Sequence, residues 1–337
     1  MEVQLTMLDK VRVIQYGLGP IGSAVARHVL ERKGLELVGA VDIDPAKAGA
    51  DLGQVIGLDH STGITVSETL GQCMTQIQAD VVLHTTSSYF DLFKDQVAEC
   101  LQAGLDVVST AEELSFPWLS HAEEAAEVDA IAKQAGRTVL GTGVNPGFIM
   151  DALPLALTAI CQRVDHIEVT RIINASTRRG PFQAKIGSGM TVEAFQERMA
   201  SGRMGHVGLP ESVDMVFQTL GRTVTSYDSS VEPVVAQQLT RTDHFEVQPG
   251  RVRGLKQVAR ANTDDGEFMV LTFIAALEAG EDGDTIKITG KPDLEVKLKG
   301  TNGDLATVAI AVNAIRRVRE AAPGLVTMRD LPIVTTW

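Results

Sequence analysis

The stretch Val11–Gly22, VRVIQYGLGPIG, is the part of the chain whose reading decides the fold. Val11–Tyr16 is an apolar run of strand length, and Ile21–Lys33 reads as a helix. Between them Gly17-Leu18-Gly19-Pro20-Ile21-Gly22 forms a GxGxxG set between a strand and a helix. In a dinucleotide site each glycine has its own task. Gly17 permits the tight turn, Gly19 lets the backbone approach a pyrophosphate, and Gly22 lets the helix pack close to the strand. Pro20 and Ile21 open the helix, whose free N–H groups and positive dipole end face the phosphates. The competing reading is an accidental glycine turn, so the neighbouring segments have to decide.

The next segment favours a nucleotide. Leu35–Asp42 is a second strand, and Asp42 falls about 20 residues after Gly22, where an acid can hydrogen-bond the adenosine ribose hydroxyls. A 2′-phosphate would meet this charge and that of Asp44, and no cation follows until Lys47. The expected cofactor is therefore NAD, with NADP as the alternative. Asp42 as a simple loop cap is the competing reading. Ala79–His84, Leu105–Ser109 and Thr138–Gly141 are further strands, and His121–Ala135 is an Ala/Glu-rich helix. Such alternation predicts a doubly wound parallel sheet. Ligands of such sheets bind beyond the carboxyl ends of the strands. That makes Thr85, Thr86 and Ser87 after the third expected strand, and Thr110 after the fourth, candidates for the nicotinamide side. Ordinary turn chemistry explains the same hydroxyls.

After Pro146 the pattern changes. Asp165–Asn174, Val252–Asn262, Phe268–Ala276 and Asp284–Gly290 predict longer, largely antiparallel strands with one wet face. Glu193–Ser201 and Pro210–Leu220 read as helices, and Asp304–Ala321 as a long one stopped by Pro323-Gly324. The expected organisation is α/β: a Rossmann domain over residues 1–145, an α/β substrate and dimerisation domain over 146–302, and a tail helix over 303–337 packing back on the first domain.

The chain has 337 residues, a net charge of −13 and 4% aromatics, which speaks against nucleic-acid binding. Cys73, Cys100 and Cys161 stand in no CxxC or metal-like spacing, which suits a reducing compartment. Met1–Lys10 lacks the pattern of a signal peptide, and no apolar run approaches a membrane span. A cytoplasmic protein without membrane or nucleic-acid partners is expected. No histidine pair at HxxxH or HxH spacing and no GxSxG elbow is present, so neither a metal nor a serine nucleophile is expected.

Glu112 and Glu113 are the acid–base candidates from position, since they follow a buried strand and precede the apolar Leu114–Trp118. First-turn helix acids are the competing reading for each. Gly141–Phe148, GTGVNPGF, makes a rigid turn at the expected domain boundary. Its Asn145 can orient a carboxamide or a substrate; a plain hinge is the alternative. Phe148, Met150 and Phe182 can shape an apolar pocket, to which His206 and Thr301 are added. Arg171, Arg178 and Arg179 are the cations available to a substrate carboxylate, with surface exposure as the alternative.

The chain resembles the 2,4-diaminopentanoate dehydrogenases and native amine dehydrogenases of the dihydrodipicolinate reductase-like group. The resemblance runs through GLGPIG at Gly17–Gly22, STAEEL at Ser109–Leu114, FPW at Phe116–Trp118, GTGVNPGFIMD at Gly141–Asp151 and GHVGLPES at Gly205–Ser212. GDLATVAIAVNAI at Gly303–Ile315 and APGLVTMRDLP at Ala322–Pro332 complete it. It implies an NAD(P)-binding Rossmann domain, a homodimer, and reversible deamination of an amine to a carbonyl plus ammonia. It also implies a catalytic glutamate within STAEEL, with Glu112 preferred to Glu113. In the reductive direction this carboxylate would take protons from ammonium and stabilise an iminium that receives the hydride. The His-His and Lys-rich substrate loop of dihydrodipicolinate reductase proper is absent, and Thr177–Gly180 substitutes for it only in part. A dihydrodipicolinate reductase-like or other carbonyl or imine reductase, and a non-enzymatic NAD sensor, are the other readings.

Overall fold

The computed structural model describes residues 10–200 and 204–337. Met1–Lys10, read above for a leader, lies outside them except for Lys10, as does Ser201 of the expected 193–201 helix. The chain forms two compact units: one runs through Phe148 and adds Gly303–Trp337, the other is Ile149–Asn302.

The first unit carries strands β1 (Val11–Tyr16), β2 (Leu35–Val41), β3 (Val66–Ser67), β4 (Val81–His84), β5 (Asp106–Ser109) and β6 (Thr138–Gly141). The second carries β7 (Arg163–Asn174), β8 (Ser226–Val235), the two-residue ribbon strands β9 (Thr240–Arg241) and β10 (Glu246–Val247), β11 (Val252–Thr263), β12 (Gly266–Ala276), β13 (Gly283–Lys291) and β14 (Leu294–Lys299). The chain then returns to the first unit, where β15 is Gly324–Val326.

The first sheet has the order β15-β6-β5-β4-β1-β2-β3, and every pair in it is parallel. Both faces are covered, so β4, β5 and β6 are buried along their whole length. Helix Pro20–Glu31 buries Gly22, Val25, Ala26 and Val29, an i, i+3, i+4, i+7 stripe. Helix Phe90–Gln102 buries Phe90, Phe93, Val97, Cys100 and Leu101 on one stripe. Helix Ala122–Ala135 ends at Gly136, whose φ of 65° is the left-handed turn that releases the chain into β6. The tail helix Gly303–Glu320 buries Val308, Ala311, Val312, Ala314, Ile315 and Val318 and packs against helix Pro20–Glu31, β5 and β6. It stops before Pro323, but Gly324 is more than a stop signal: it opens β15, which pairs with β6 as a further parallel strand. The short edge strands β3 and β15 do not announce themselves in the sequence.

The second unit is built on a six-stranded sheet of order β14-β13-β7-β12-β11-β8. Only β7 and β12 run parallel; the other neighbours are antiparallel. One face of β7 is fully buried through Ile167, Val169, Arg171 and Ile173. Arg171 sits opposite Asp284 of β13 in the register, and Nη1 donates to Oδ1 at 2.9 Å. Both side chains are about as buried as the neighbouring isoleucines. Surface exposure, one reading of Arg171, is thus excluded, and so it is for Arg178 at 8% exposure; Arg179 is exposed.

Candidate functional site

The glycine turn follows β1 without an intervening residue. Gly17 has φ +89°, and its N–H donates to Val41 O at 2.8 Å, tying the turn to the end of β2. A Cβ on Gly22 would lie 1.9 Å from Gly17 O, so only glycine lets the helix come this close. A Cβ on Gly19 would meet nothing within 4 Å. Open space therefore lies where a pyrophosphate would approach the backbone, above a twelve-residue helix that starts with Pro20 and has no side-chain cap. These residues fit a dinucleotide.

Gln15, fully buried inside β1, supports the turn. Its Nε2 donates to Gly17 O at 2.9 Å and to Thr85 Oγ1 at 2.8 Å, and Thr85 Oγ1 in turn donates to Gly17 O. Thr85 is thus a brace of the glycine turn. A polar residue in the apolar run VRVIQY is the signal by which Gln15 could have been found.

Asp42 follows β2 directly and is 8% exposed. Its Oδ2 accepts from Leu18 N–H at 2.7 Å and from Lys47 Nζ at 3.0 Å, and its Oδ1 accepts from Asp44 N–H at 2.9 Å. Burial raises its pKa, but the hydrogen bonds from Asp44, Leu18 and Lys47 outweigh that and hold it below the usual carboxylate value. The acid is therefore ionised and held against the glycine turn by the Leu18 N–H.

The loop after β4 stands next to this turn and the loop after β5 one strand further on, because β5, β4, β1 and β2 are consecutive parallel neighbours. His84, the last residue of β4, is fully buried. Its Nδ1 lies 2.9 Å from Ser109 Oγ and its Nε2 lies 2.9 Å from Gln96 Oε1. Burial pushes its pKa down to about 4, partly offset by the Gln96 bond, so the imidazole is neutral. Thr86 Oγ1 donates to Gln96 Oε1 at 2.7 Å, and Ser87 Oγ accepts from Tyr89 N–H at 3.2 Å. Thr110 N–H donates to His84 O at 3.0 Å.

Glu112 and Glu113 form a 3-10 turn with Leu114, and both are half-buried. The turn separates their roles. Glu113 Oε2 accepts from Phe90 N–H, the first N–H of helix Phe90–Gln102, and lies 3.2 Å from His121 Nε2. The N-cap residue Tyr89 makes no side-chain bond there, so Glu113 caps that helix from outside. Glu112 has its carbonyl held by Ser115, whose N–H and Oγ donate to it at 3.1 and 2.8 Å.

Asn145 is buried in the first unit and Phe148 is half-buried there. In the second unit Met150 is fully buried. His206 stacks on Phe273 at 4.6 Å, and its N–H donates to Gln257 Oε1. Thr301 O accepts from Arg171 Nη2 at 3.5 Å. Phe182 supports the Arg178 guanidinium, 4.9 Å from the ring centre. Among the described residues no group of three or more His, Cys, Asp or Glu could hold a metal ion, and no helix is long and apolar enough to cross a membrane.

A glycine turn on a parallel sheet, an acid after the second strand and a separate sheet-based unit define a protein of the Rossmann class. The sequence profile of the 2,4-diaminopentanoate dehydrogenase C-terminal domain matches residues 148–337, and that of the dihydrodipicolinate reductase N-terminus matches residues 11–139. The chain is 30% identical to the 2,4-diaminopentanoate dehydrogenase of Acetoanaerobium sticklandii, over 97% of this chain and 94% of that one. It is 22% identical to an amine dehydrogenase of Streptomyces virginiae over 96% of each. Among solved structures, the amine dehydrogenase of Mycobacterium smegmatis superimposes with a TM-score of 0.86 at 27% identity, covering 97% of both chains. The chain belongs to the 2,4-diaminopentanoate dehydrogenase family.

Proposed function

We propose that this chain is a nicotinamide-dependent amine dehydrogenase that reversibly converts an amine to a carbonyl and ammonia. NAD is its preferred cofactor and Glu112 its acid–base residue. The observation that carries the reading is a family match over nearly the whole chain, joined to a glutamate turn at the same end of the parallel sheet as the glycine turn, with the loop after β4 between them.

The nicotinamide, when bound, supplies the hydride acceptor or donor. Asp42 holds the ribose hydroxyls, while Gly17 and Gly19 admit the pyrophosphate. Lys47 lies 3.0 Å from Asp42 and 3.6 Å from Asp44, so it offsets part of the negative charge that a 2′-phosphate would meet. That supports a preference for NAD with NADP tolerated. Thr86, Ser87, Thr110 and Asn145 are assigned to the nicotinamide side, and His206 to substrate contact. Glu112 takes a proton from ammonium so that ammonia can add to the carbonyl, returns it to the hydroxyl of the carbinolamine, which leaves as water, and, ionised again, offsets the positive charge of the iminium. Glu113 caps a helix end, and the preference for Glu112 follows the resemblance of the STAEEL segment to the family's catalytic glutamate. Arg171 is committed to Asp284 and is not assigned to a substrate carboxylate. The working form is proposed to be a cytoplasmic homodimer.

The test is NADH oxidation with a panel of small ketones and aldehydes, with and without ammonium, beside oxidation of 2,4-diaminopentanoate with NAD. Ammonium-dependent turnover supports the reading, and the best substrate separates a diamino-acid enzyme from a broad amine enzyme. Turnover without ammonium contradicts it. A second reading, reduction of a preformed C=N bond, is favoured by the match of residues 11–139 to dihydrodipicolinate reductase. Turnover of a cyclic imine without added ammonium would select it.

A further inference from the structure

The turn that carries Glu112 is tied at both ends to the loop after β4. On the inner side Gln96 Oε1 is an acceptor, so His84 Nε2 carries the ring proton and Nδ1 accepts from the Ser109 hydroxyl. The Ser109 oxygen is then left to accept from Ala111 N–H at 3.1 Å, one residue before Glu112. Gln96 Oε1 also receives the Thr86 hydroxyl, so one buried imidazole joins helix Phe90–Gln102, the β4 loop and the β5 loop. On the outer side Glu113 N–H donates to Ser88 O at 3.2 Å, and its carboxylate accepts from Phe90 N–H beside His121. The His121 ring stacks on Phe90 with centroids 4.9 Å apart. Glu112 thus sits between two fixed points, at Ala111 and at Glu113.

We propose that His84, acting through Ser109, and Glu113 are positioning residues that clamp the Glu112 turn onto the loop after β4. This rests on the reading of Glu112 as the acid–base residue. Neither residue passes a proton to substrate; each sets where the Glu112 backbone lies. A displacement of about 1 Å at a reacting group can cost on the order of a hundredfold in rate.

The experiment uses the full chain and four variants: Ser109→Ala, Gln96→Met, Glu113→Ala and Glu113→Gln. Each is read by kcat, by KM for the amine, by NADH affinity from nicotinamide fluorescence and by thermal melting. Ser109→Ala, Gln96→Met and Glu113→Ala are expected to lower kcat by roughly tenfold or more, with KM and NADH affinity within about twofold. Glu113→Gln keeps an oxygen for Phe90 N–H and should recover kcat to within about threefold of the parent. If Glu113→Gln is as slow as Glu113→Ala, Glu113 is not a positioning residue. If Ser109→Ala and Gln96→Met both keep the parent kcat, the inner half of the clamp is wrong. Should Ser109→Ala fold poorly, the partly exposed Gln96 and the Glu113 pair decide the matter alone. Failure of the Glu112 reading has a separate signature: full turnover in Glu112→Gln.

Discussion

The two sheets handle buried polarity in different ways. In the parallel sheet three buried polar residues, Gln15, His84 and Ser109, lie at or near the carboxyl ends of β1, β4 and β5, where they hydrogen-bond one another's loops, while at the opposite ends of β5 and β6 the Thr138 N–H donates to buried Asp106 and ties the two strands. In the mixed sheet Arg171 and Asp284 face each other as register partners and lock two strands together. Polar residues at the carboxyl ends of parallel strands shape a place for a ligand. A polar pair set between neighbouring strands specifies register. Burial alone separates neither case; location in the sheet does.

The comparison breaks most visibly at the ion pair. Removing one partner, as in Asp284→Leu or Arg171→Met, strands a buried charge and should destabilise the second unit by about 3–5 kcal/mol. Replacing both by apolar residues should restore most of that. Urea titration followed by circular dichroism reads both numbers. If the double variant is no better than the single ones, the pair holds more than register.

The first unit should show a different dependence, on pH. His84 titrates at about 4 in the fold against 6.5 in the unfolded chain. Between those values the unfolded chain takes up a proton that the folded chain refuses. Stability is therefore complete above pH 6.5 and lost as pH falls towards 4, by about 3 kcal/mol for this group. Asp42 and Asp80, held below their ordinary value, lose their contribution only at lower pH. Denaturation midpoints from pH 7.5 to 4.5 should slope for the parent and flatten for His84→Asn. Equal slopes would mean that the imidazole is protonated without strain.

The smallest effect belongs to the wet surface of the second sheet. Arg260 pairs with Glu267 at 2.7 Å, but both side chains are well exposed. Arg260→Ala should change stability by less than about 1 kcal/mol. A larger loss in the same urea titration would show that this face is not an ordinary solvated one.

The parallel sheet was legible because strands buried on both faces read as continuous apolar runs, and because the GxGxxG has a fixed place between strand and helix. Helix Phe90–Gln102 was not recognised, although its apolar positions 90, 93, 97, 100 and 101 have helical spacing. The edge strands escaped for a different reason. β8, SYDSSVEPVV, is polar, and β3 and β15 have two and three residues. The parallel pairing of β7 with β12 leaves no local mark, since nearly a hundred residues separate them. Position marked both glutamates of the candidate site, but only the three-dimensional contacts give Glu113 to a helix end. His84 reads only as the end of a strand in sequence, because its partners Gln96 and Ser109 come from other elements. The inward position of Arg171 was within reach: it continues the alternation of Ile167, Val169 and Ile173.

The most direct test of the account is Glu112→Gln in the full chain, assayed for ammonium-dependent NADH oxidation with the best carbonyl substrate and, separately, for NADH binding. The account predicts a loss of turnover of at least roughly a hundredfold, with NADH affinity unchanged. Turnover near the parent rate, with binding intact, would contradict the role assigned to Glu112.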